Sequence, residues 1–456
     1  MLYGPGHSRV LYKLCRRTVC SFAPRRSLLT LAIESSCDDT CVAILSKCTT
    51  TNEPHQVKAR LLFNEKITAK NTGKGGILPT EALESHQANL SKVLENALPS
   101  LPAASDSLPN AKKIWLRDGA PKRKPDFISV TRGPGMSANL GVGLATAKGL
   151  ATAWQIPMVG VHHMQAHALT PRLVNAMAEK HRPVHAALKP SFPFLTLLVS
   201  GGHTMLLYSK GLVDHKILAT TTDTAIGDEL DKCGRLILPQ ELQQSTPDTA
   251  FGKYLSTYAF KAPEEFKSWH VPRTRVEEVN QPTNEFGWRL TTPMSQNRDL
   301  AFSFSGIASQ IKRLILARGA ETGPMEEQER ILLAQSALGT AFEHLGSRTI
   351  IALESLRAEG VEISTLVVSG GVAANDFLRH YLRRLLDLRS FERMSLIFPP
   401  VELCTDNAAM IGWAGMEMFE AGYTTDLSCA PVKKWTMDSQ GRDGGILGIG
   451  GWIKAP

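Results

Sequence analysis

Residues 28–45, LLTLAIESSCDDTCVAIL, decide how this chain folds. A short apolar run, Leu28 to Ile33, ends in the polar turn Glu34 to Thr40, and a second apolar run follows from Cys41 to Leu45. Short apolar runs bounded by turn residues are typical of buried strands. The segment therefore predicts a strand, a tight polar turn and a returning strand.

The same pattern recurs in the second half of the chain. Residues 194–199 are apolar and end at Ser200-Gly201-Gly202, and residues 205–208 read as the returning strand. Residues 366–369 form another apolar run that ends at Gly370-Gly371, with a helix expected from about Asn375. Strands joined to turns and helices in this way are typical of α/β proteins. We therefore expect two related α/β lobes with a cleft between them.

A histidine run follows the predicted strand at 156–161. His163 and His167 stand four residues apart, which on a helix places both imidazoles on one face, where they can share a metal ion. Such a pair also occurs as surface or core histidines that bind nothing. Met164 stands where a metalloprotease has its catalytic glutamate, so the run supplies two ligands and no base. Asp406 is a candidate third ligand, although Thr405 or Asp406 could instead cap the next helix.

Three turns have the composition of phosphate-binding loops: 34–40, 200–203 and 369–372. Glycine lets the backbone approach a phosphate closely, and exposed N–H groups can then solvate it. All three turns follow apolar strands, where α/β proteins place ligands, so together they favour a nucleotide cleft. Asp38 and Asp39 of the first turn are either a turn-capping pair or a cation-linked, proton-accepting group.

Charge is concentrated at the N-terminus. Six of the cations that make up the net charge of +8 lie in residues 1–27, and no acidic residue precedes Glu34. An arginine-rich segment without acidic residues indicates an organelle transit peptide, the alternative being a disordered basic tail. No apolar run approaches the roughly 20 residues that a membrane span needs, so we expect no membrane association.

Two stretches read as insertions, residues 99–125 and the polar, irregular residues 239–300. Two basic clusters are candidates for nucleic-acid contact, the alternative being ordinary solvated faces. One cluster contains Lys112, Lys113, Arg117, Lys122, Arg123 and Lys124, and the other contains Arg379, Arg383, Arg384 and Arg389.

Six segments, taken together, resemble one family. They are, in chain order, LAIESSCDDT at 31–40, HHMQAH at 162–167, LVSGGHT at 198–204, LDK at 230–232, SGGVAAN at 369–375 and CTDN at 404–407. They are similar to the tRNA N6-adenosine threonylcarbamoyltransferases, formerly labelled O-sialoglycoprotein endopeptidases. The match spans about residues 28–436, and the basic N-terminus resembles the mitochondrial branch of that family.

The resemblance implies an actin/Hsp70/sugar-kinase-like fold whose duplicated lobes enclose a nucleotide cleft. It implies transfer of a threonylcarbamoyl group from threonylcarbamoyl-AMP to the adenosine 3′-adjacent to the anticodon of ANN-reading tRNAs. It also implies roles for particular residues. His163, His167 and Asp406 match the metal ligands, and Asp38 matches a carboxylate that assists catalysis. The matches to the substrate-binding residues are Leu198, Val199, Ser200, Gly201, Gly202, Asp231, Gly252 and Asn375.

The chain departs from the family in places. Asp228-Glu229-Leu230 stands where the family has Glu-Ala-Phe, and the family's Pro-Gly-Gly is absent, which puts Gly252 in doubt. Further expectations are one divalent metal ion per subunit (zinc, iron and magnesium left open), a homodimer, a donor made by a separate synthase, and a location in the mitochondrial matrix. The expected divisions are the transit peptide 1–27, one lobe of 28–163 with 408–456, and a second lobe of 164–407. The alternatives are a metallopeptidase, a kinase of the same fold and a nucleotide-binding scaffold without catalysis.

Overall fold

The computed structural model describes residues 26–50, 53–70, 76–178, 188–246, 249–321, 323 and 325–455. The predicted transit peptide lies outside this range, except for its last two residues, which belong to the first strand. None of the described helices is both long enough and apolar enough to span a membrane.

The first half of the chain builds a five-stranded sheet. Its strands are β1 (Arg26–Glu34), β2 (Asp39–Thr50), β3 (Glu53–Thr68), β6 (Phe127–Gly133) and β7 (Met158–His162). They lie side by side in the order β3-β2-β1-β6-β7. The three strands β1, β2 and β3 pair antiparallel, whereas β6 and β7 continue the sheet in parallel. The strand–turn–strand predicted for residues 28–45 is thus confirmed.

The second half repeats this arrangement. Its strands are β8 (Phe194–Val199), β9 (Thr204–Ser209), β10 (His215–Thr220), β11 (Thr365–Ser369) and β12 (Ser395–Ile397). Their order is β10-β9-β8-β11-β12, again with three antiparallel strands followed by two parallel ones. The two sheets therefore have one topology, and the chain has the duplicated, two-lobed α/β fold expected of the actin/Hsp70/sugar-kinase class.

Four helices pack beside the first sheet: α1 (Pro79–Ala97), α2 (Ser137–Trp154), α3 (His163–Met177) and α13 (Ala408–Glu420). The last of these lies very close to the strands. A Cβ atom added at Gly415 would lie 2.1 Å from the Ser129 hydroxyl of β6, so only glycine allows this approach. The contacts of α13 with β1, β2 and β6 support the placement of residues 408–456 with the first lobe. Helix α3 also packs beside the first sheet, although our division assigns residues 164–407 to the second lobe, and that division stays a proposal.

The remaining helices belong to the second half of the chain. They are α4 (Ile226–Ile237), α5 (Gln240–Ser245), α6 (Phe251–Ala259), α7 (Pro263–Lys267), α8 (Arg275–Val279), α9 (Gly306–Glu321), α10 (Glu327–Ala358), α11 (Asp376–Leu388) and α12 (Val401–Cys404). Two small antiparallel pairs complete the fold, β4 (Lys113–Trp115) with β5 (Pro121–Arg123), and β13 (Tyr423–Thr425) with β14 (Trp452–Lys454).

Residues 239–300 look polar and irregular in sequence, yet they contribute to the core, and their interpretation as an insertion stays a prediction. Leu255, Phe260, Val271, Trp288 and Leu290 are all buried in the hydrophobic core of the second sheet. These apolar residues are spaced irregularly, because short helices and loops carry them, and so neither helical nor strand periodicity appears in the sequence. The segment is a packed part of the second lobe.

Candidate active site

Helix α3 places the two histidines of the predicted metal site. Its first residue is His163, and His162 caps it by accepting a hydrogen bond from the Met164 backbone N–H at 3.2 Å. The other ring nitrogen of His162 donates to the Trp435 carbonyl at 3.0 Å. Burial lowers the pKa of His162 to about 3, so this ring is neutral and both nitrogens are engaged. The third histidine of the run therefore positions the pair rather than joining it.

Asp406 closes the cluster from the other end of the chain. Its Oδ1 lies 3.0 Å from His167 Nε2 and 3.4 Å from His163 Nε2. The helix that follows is capped by Asn407, which accepts from the Met410 N–H at 2.9 Å, so neither Thr405 nor Asp406 is the cap. Among the described His, Cys, Asp and Glu residues, one group converges closely enough to share an ion. It consists of His163, His167 and Asp406, whose possible ligand atoms all lie within 4.8 Å of one another.

The donor set suits a divalent cation. Two imidazole nitrogens and one carboxylate oxygen converge. A divalent ion held by these three donors would keep further positions for substrate oxygens. Burial would lower the pKa of His163, but the carboxylates of Asp406 and Glu34 outweigh it and raise that pKa well above its usual value. Burial likewise would raise the pKa of Asp406, but His163 and His167 hold it well below its usual range. A cation bound here would take the place of that proton.

Glu34 supports His163, a role that its position in the sequence did not reveal. The carboxylate is fully buried at the end of β1, with Oε2 3.1 Å from His163 Nδ1. It also accepts from the Ser36 N–H and the Thr131 hydroxyl, each at 2.5 Å. A carboxylate on the second nitrogen fixes the ring and leaves Nε2 to face the ligand position. Among the described residues, no such partner is found for His167 Nδ1.

The turn that carries Asp38 and Asp39 lies beside this cluster. Lys66 Nζ is 3.1 Å from Asp39 Oδ2 and 3.1 Å from the Thr405 hydroxyl, so it joins the turn to the loop that presents Asp406. Burial first, and then the charge of Asp39, raises the pKa of Asp38. A carboxylate with a raised pKa is a better proton acceptor near neutral pH, which is the property that the predicted role of Asp38 requires.

The two glycine turns of the second sheet differ in whether packing within the chain requires glycine. A Cβ atom added at Gly201 or Gly202 would meet no atom within 4 Å, and neither residue has a left-handed backbone. Gly370 has φ +105°, and a Cβ there would lie 2.4 Å from the Val199 carbonyl. Packing within the chain therefore demands glycine at 370, but not at 201 or 202.

The other predicted substrate residues are distributed around these turns. The side chains of Leu198 and Val199 are buried in β8, so only their backbone is available to a ligand. Asp231 accepts from the Gly252 N–H at 2.7 Å, which brings two of the predicted residues together. Asn375 caps α11 by accepting from Leu378, and its amide donates to the Ser256 hydroxyl at 3.0 Å. The roles of these five residues stay predictions.

Comparison with known proteins decides the family. The model of the tRNA N6-adenosine threonylcarbamoyltransferase family matches residues 60–413. This chain belongs to that family. It is 35% identical over 445 residues to the mitochondrial tRNA N6-adenosine threonylcarbamoyltransferase of Schizosaccharomyces pombe, covering 95% of this chain and 91% of the relative. It is 31% identical over 426 residues to the tRNA N6-adenosine threonylcarbamoyltransferase of Rhizobium meliloti, covering 92% and 98%.

Membership in the threonylcarbamoyltransferase family makes the chain a tRNA-modifying transferase. The family is metal-dependent, and the cluster of His163, His167 and Asp406 is a site of the right chemistry for a divalent ion.

The second basic cluster of the sequence is largely committed to internal contacts. Arg379 and Arg383 donate to backbone carbonyls, and Arg389 pairs with the buried Glu278.

Proposed function

We propose that the chain transfers the threonylcarbamoyl group of threonylcarbamoyl-AMP to the N6 amine of the adenosine 3′-adjacent to the anticodon of ANN-reading mitochondrial tRNAs. The observation that carries this proposal is the His163–His167–Asp406 cluster, beside a polar turn and within a fold whose turn after β8 presents the unencumbered glycine backbone of Gly201 and Gly202. A metal bound there would act as a Lewis acid towards the donor.

The chain's own residues would divide the remaining work between them. Backbone N–H groups at Gly201 and Gly202 would solvate the phosphate of the donor, and Asp231 would hold its ribose. Asp38 would accept the proton that the amine loses as its nitrogen bonds to the carbamoyl carbon. The bond from that carbon to the phosphate oxygen then breaks, and AMP leaves. Positioning and preorganised hydrogen bonds are what such an acyl transfer requires of a protein.

A metallopeptidase is the weaker alternative. Met164 occupies the position of the protease's general base, and its side chain is 3% exposed and packed in the hydrophobic core. A thioether cannot take a proton from water, and a buried one cannot face the substrate. A non-catalytic scaffold would need no metal cluster, and the buried support that Glu34 gives to His163 argues against it.

The similarity to the Schizosaccharomyces pombe protein and the basic segment at 1–27 support a mitochondrial location, which we propose to be the matrix. The donor would come from a separate synthase, and the chain would act as a homodimer. One divalent ion per subunit is proposed at His163, His167 and Asp406, with zinc, iron and magnesium as the candidates.

The test supplies the purified, metal-loaded protein with threonylcarbamoyl-AMP and unmodified tRNA, and measures N6-threonylcarbamoyladenosine in the digested RNA. We expect modification of an ANN-reading mitochondrial tRNA, and none of a matched tRNA that reads other codons. Absence of product with an active relative as positive control would refute the proposal. Equal modification of both tRNAs would refute the stated specificity alone.

A further inference from the structure

The β4–β5 hairpin, residues 110–124, stands on the first lobe as a braced projection. Strand β5 is held by the backbone of residues 102–104, since Arg123 N donates to the Pro102 carbonyl at 2.8 Å and Ala104 N to the Pro121 carbonyl at 3.1 Å. Strand β4 pairs with β5 alone among the described strands, so no strand covers its other edge. The hairpin is therefore anchored on one side and available for contact on the other.

Side-chain alternation separates an inner face of β4 from an outer one. Ile114 packs against the core of the first sheet. Lys113 and Trp115, its neighbours along the strand, must project from the opposite face. Trp115 is 63% exposed, although tryptophan usually buries most of its surface. Folding thus leaves this large aromatic ring in water, next to a cation.

The cations of the hairpin fall into two groups. Lys122, Arg123 and Lys124 are used to fasten it, because they donate to the carbonyls of Pro99, Ser27 and Trp154 respectively. Lys112, Lys113 and Arg117 belong to β4 and its ends. The side chain of Arg117 is 94% exposed and makes an ion pair with Glu95 at 3.0 Å. An ion pair so exposed contributes little, so a phosphate could take over the guanidinium.

The balance of charge singles out this hairpin. Its six cations face a single carboxylate within the segment, Asp118, which is occupied in the turn by the Ala120 N–H at 2.9 Å. Residues 28–456 together carry a net charge of about +2, which is less than the excess of cations in the hairpin alone. The residues beyond 27 that lie outside the hairpin are therefore net negative as a group. Positive potential concentrated in one projection attracts a polyanion there.

The hairpin also stands within reach of a large substrate at the site. Strand β6 begins three residues after the hairpin and runs towards the site, with Thr131 bound to Glu34 near its end. Seven strand residues span roughly 23 Å at about 3.3 Å each. A folded RNA whose loop enters the site is long enough to reach the hairpin with its stem.

We propose that Lys112, Lys113, Trp115 and Arg117 form an RNA-binding surface that holds tRNA by its sugar–phosphate backbone, remote from the reacting adenosine. The three cations contact phosphates, and the indole ring stacks on a base or ribose at the edge of the groove. This inference rests on the proposed function, because it assigns part of the tRNA contact to a surface outside the active site.

The test measures binding of unmodified tRNA to the full chain as a function of salt, together with steady-state transfer. For Lys112→Ala/Lys113→Ala/Arg117→Ala we expect a 10- to 100-fold loss of affinity and a salt dependence shallower by up to about three units of slope. The KM for tRNA should rise, while kcat and the KM for the donor stay within about twofold. Trp115→Ala should weaken binding by about 5- to 20-fold, and Trp115→Phe should restore most of it.

Lys312→Ala combined with Arg313→Ala, which removes two exposed cations of α9 outside both basic clusters, is the control and should bind tRNA as the unaltered chain does. A second measurement needs no variant: tRNA should protect Lys112 and Lys113 of the unaltered protein from acetylation, read by mass spectrometry. Unchanged affinity in the triple variant, or no protection of these lysines, would overturn the proposal. A change in sedimentation of Trp115→Ala with unchanged tRNA affinity would overturn it too, in favour of a protein interface. Failure of the unaltered chain to modify tRNA would instead count against the proposed function.

Discussion

The two sheets share one topology, yet their first turns are built in opposite ways. The turn between β1 and β2 is filled with the chain's own polar contacts: Glu34 holds His163, and Lys66 and Thr68 hold Asp39. The turn between β8 and β9 presents Gly201 and Gly202 to open space. Two turns at equivalent places in a duplicated fold can therefore have complementary roles. One holds charged side chains in fixed positions, and the other exposes backbone N–H groups to a ligand.

Removing the histidine pair that the turn between β1 and β2 supports should have the largest effect on activity. For His163→Ala combined with His167→Ala, we expect loss of bound metal and a fall in transfer of about 100-fold or more, because the donor would no longer be activated by a Lewis acid. Metal analysis and the transfer assay measure the two together. His270→Ala, an exposed histidine of the second lobe, is the control and should keep both. Full activity in a metal-free double variant would show that the cluster is structural.

Alanine in the glycine turns should separate ligand binding from folding. Gly201→Ala should leave the melting temperature within about 2 °C, because the methyl group meets open space, yet lower transfer at least 10-fold by blocking the donor. Gly370→Ala should instead destabilise the fold by about 2–4 kcal/mol, because of its φ of +105° and its clash with Val199. Thermal melts and donor KM distinguish the two. Unchanged activity in Gly201→Ala would remove the proposed backbone contact.

A buried carboxylate of the second lobe extends the comparison to stability. His163 keeps the pKa of Glu34 below its usual value despite burial. Glu343 of α10 instead accepts hydrogen bonds from the neutral side chains of Thr292 and Gln281, and burial raises its pKa to about 7, although these bonds and the charge of Arg275 oppose the shift. Between about pH 4.5 and 7 the folded state therefore keeps a proton on this carboxyl that the unfolded chain has lost, so the contribution of Glu343 to stability falls as pH rises through this window.

Glu343→Gln should remove this loss. The difference in free energy of unfolding between the variant and the unaltered chain should therefore be about 1–3 kcal/mol more favourable to the variant at pH 8 than at pH 5. Denaturant unfolding at several pH values measures the slope. Glu354→Gln, a change at a solvated carboxylate on the same helix, should leave that slope as it was. An identical slope in Glu343→Gln would mean that Glu343 is ionised in the folded protein.

The sequence predicted the sheets better than the surroundings of the site. Buried strands such as β8 are short runs made almost entirely of apolar residues, so their bounds can be read directly from the sequence. The contact between Glu34 and His163 joins residues 129 positions apart, and no local pattern announces it. Thr405, Asp406 and Asn407 are all good helix caps, so composition alone could not choose Asn407. His162 was missed as a cap because imidazole is not among the usual capping side chains.

The close approach of α13 to the first sheet changes how substitutions in this protein should be read. Gly415 lies nine residues after Asp406, roughly 13 Å at the rise of a helix, and the atoms nearest to a Cβ added there belong to Ser129 and Val161. A larger side chain there must push the helix away from Ser129, and Asp406 lies two residues before the first residue of this helix. A variant at Gly415 found in a sequenced genome would therefore belong with lesions of the metal cluster, although a map of distances alone would class it as remote.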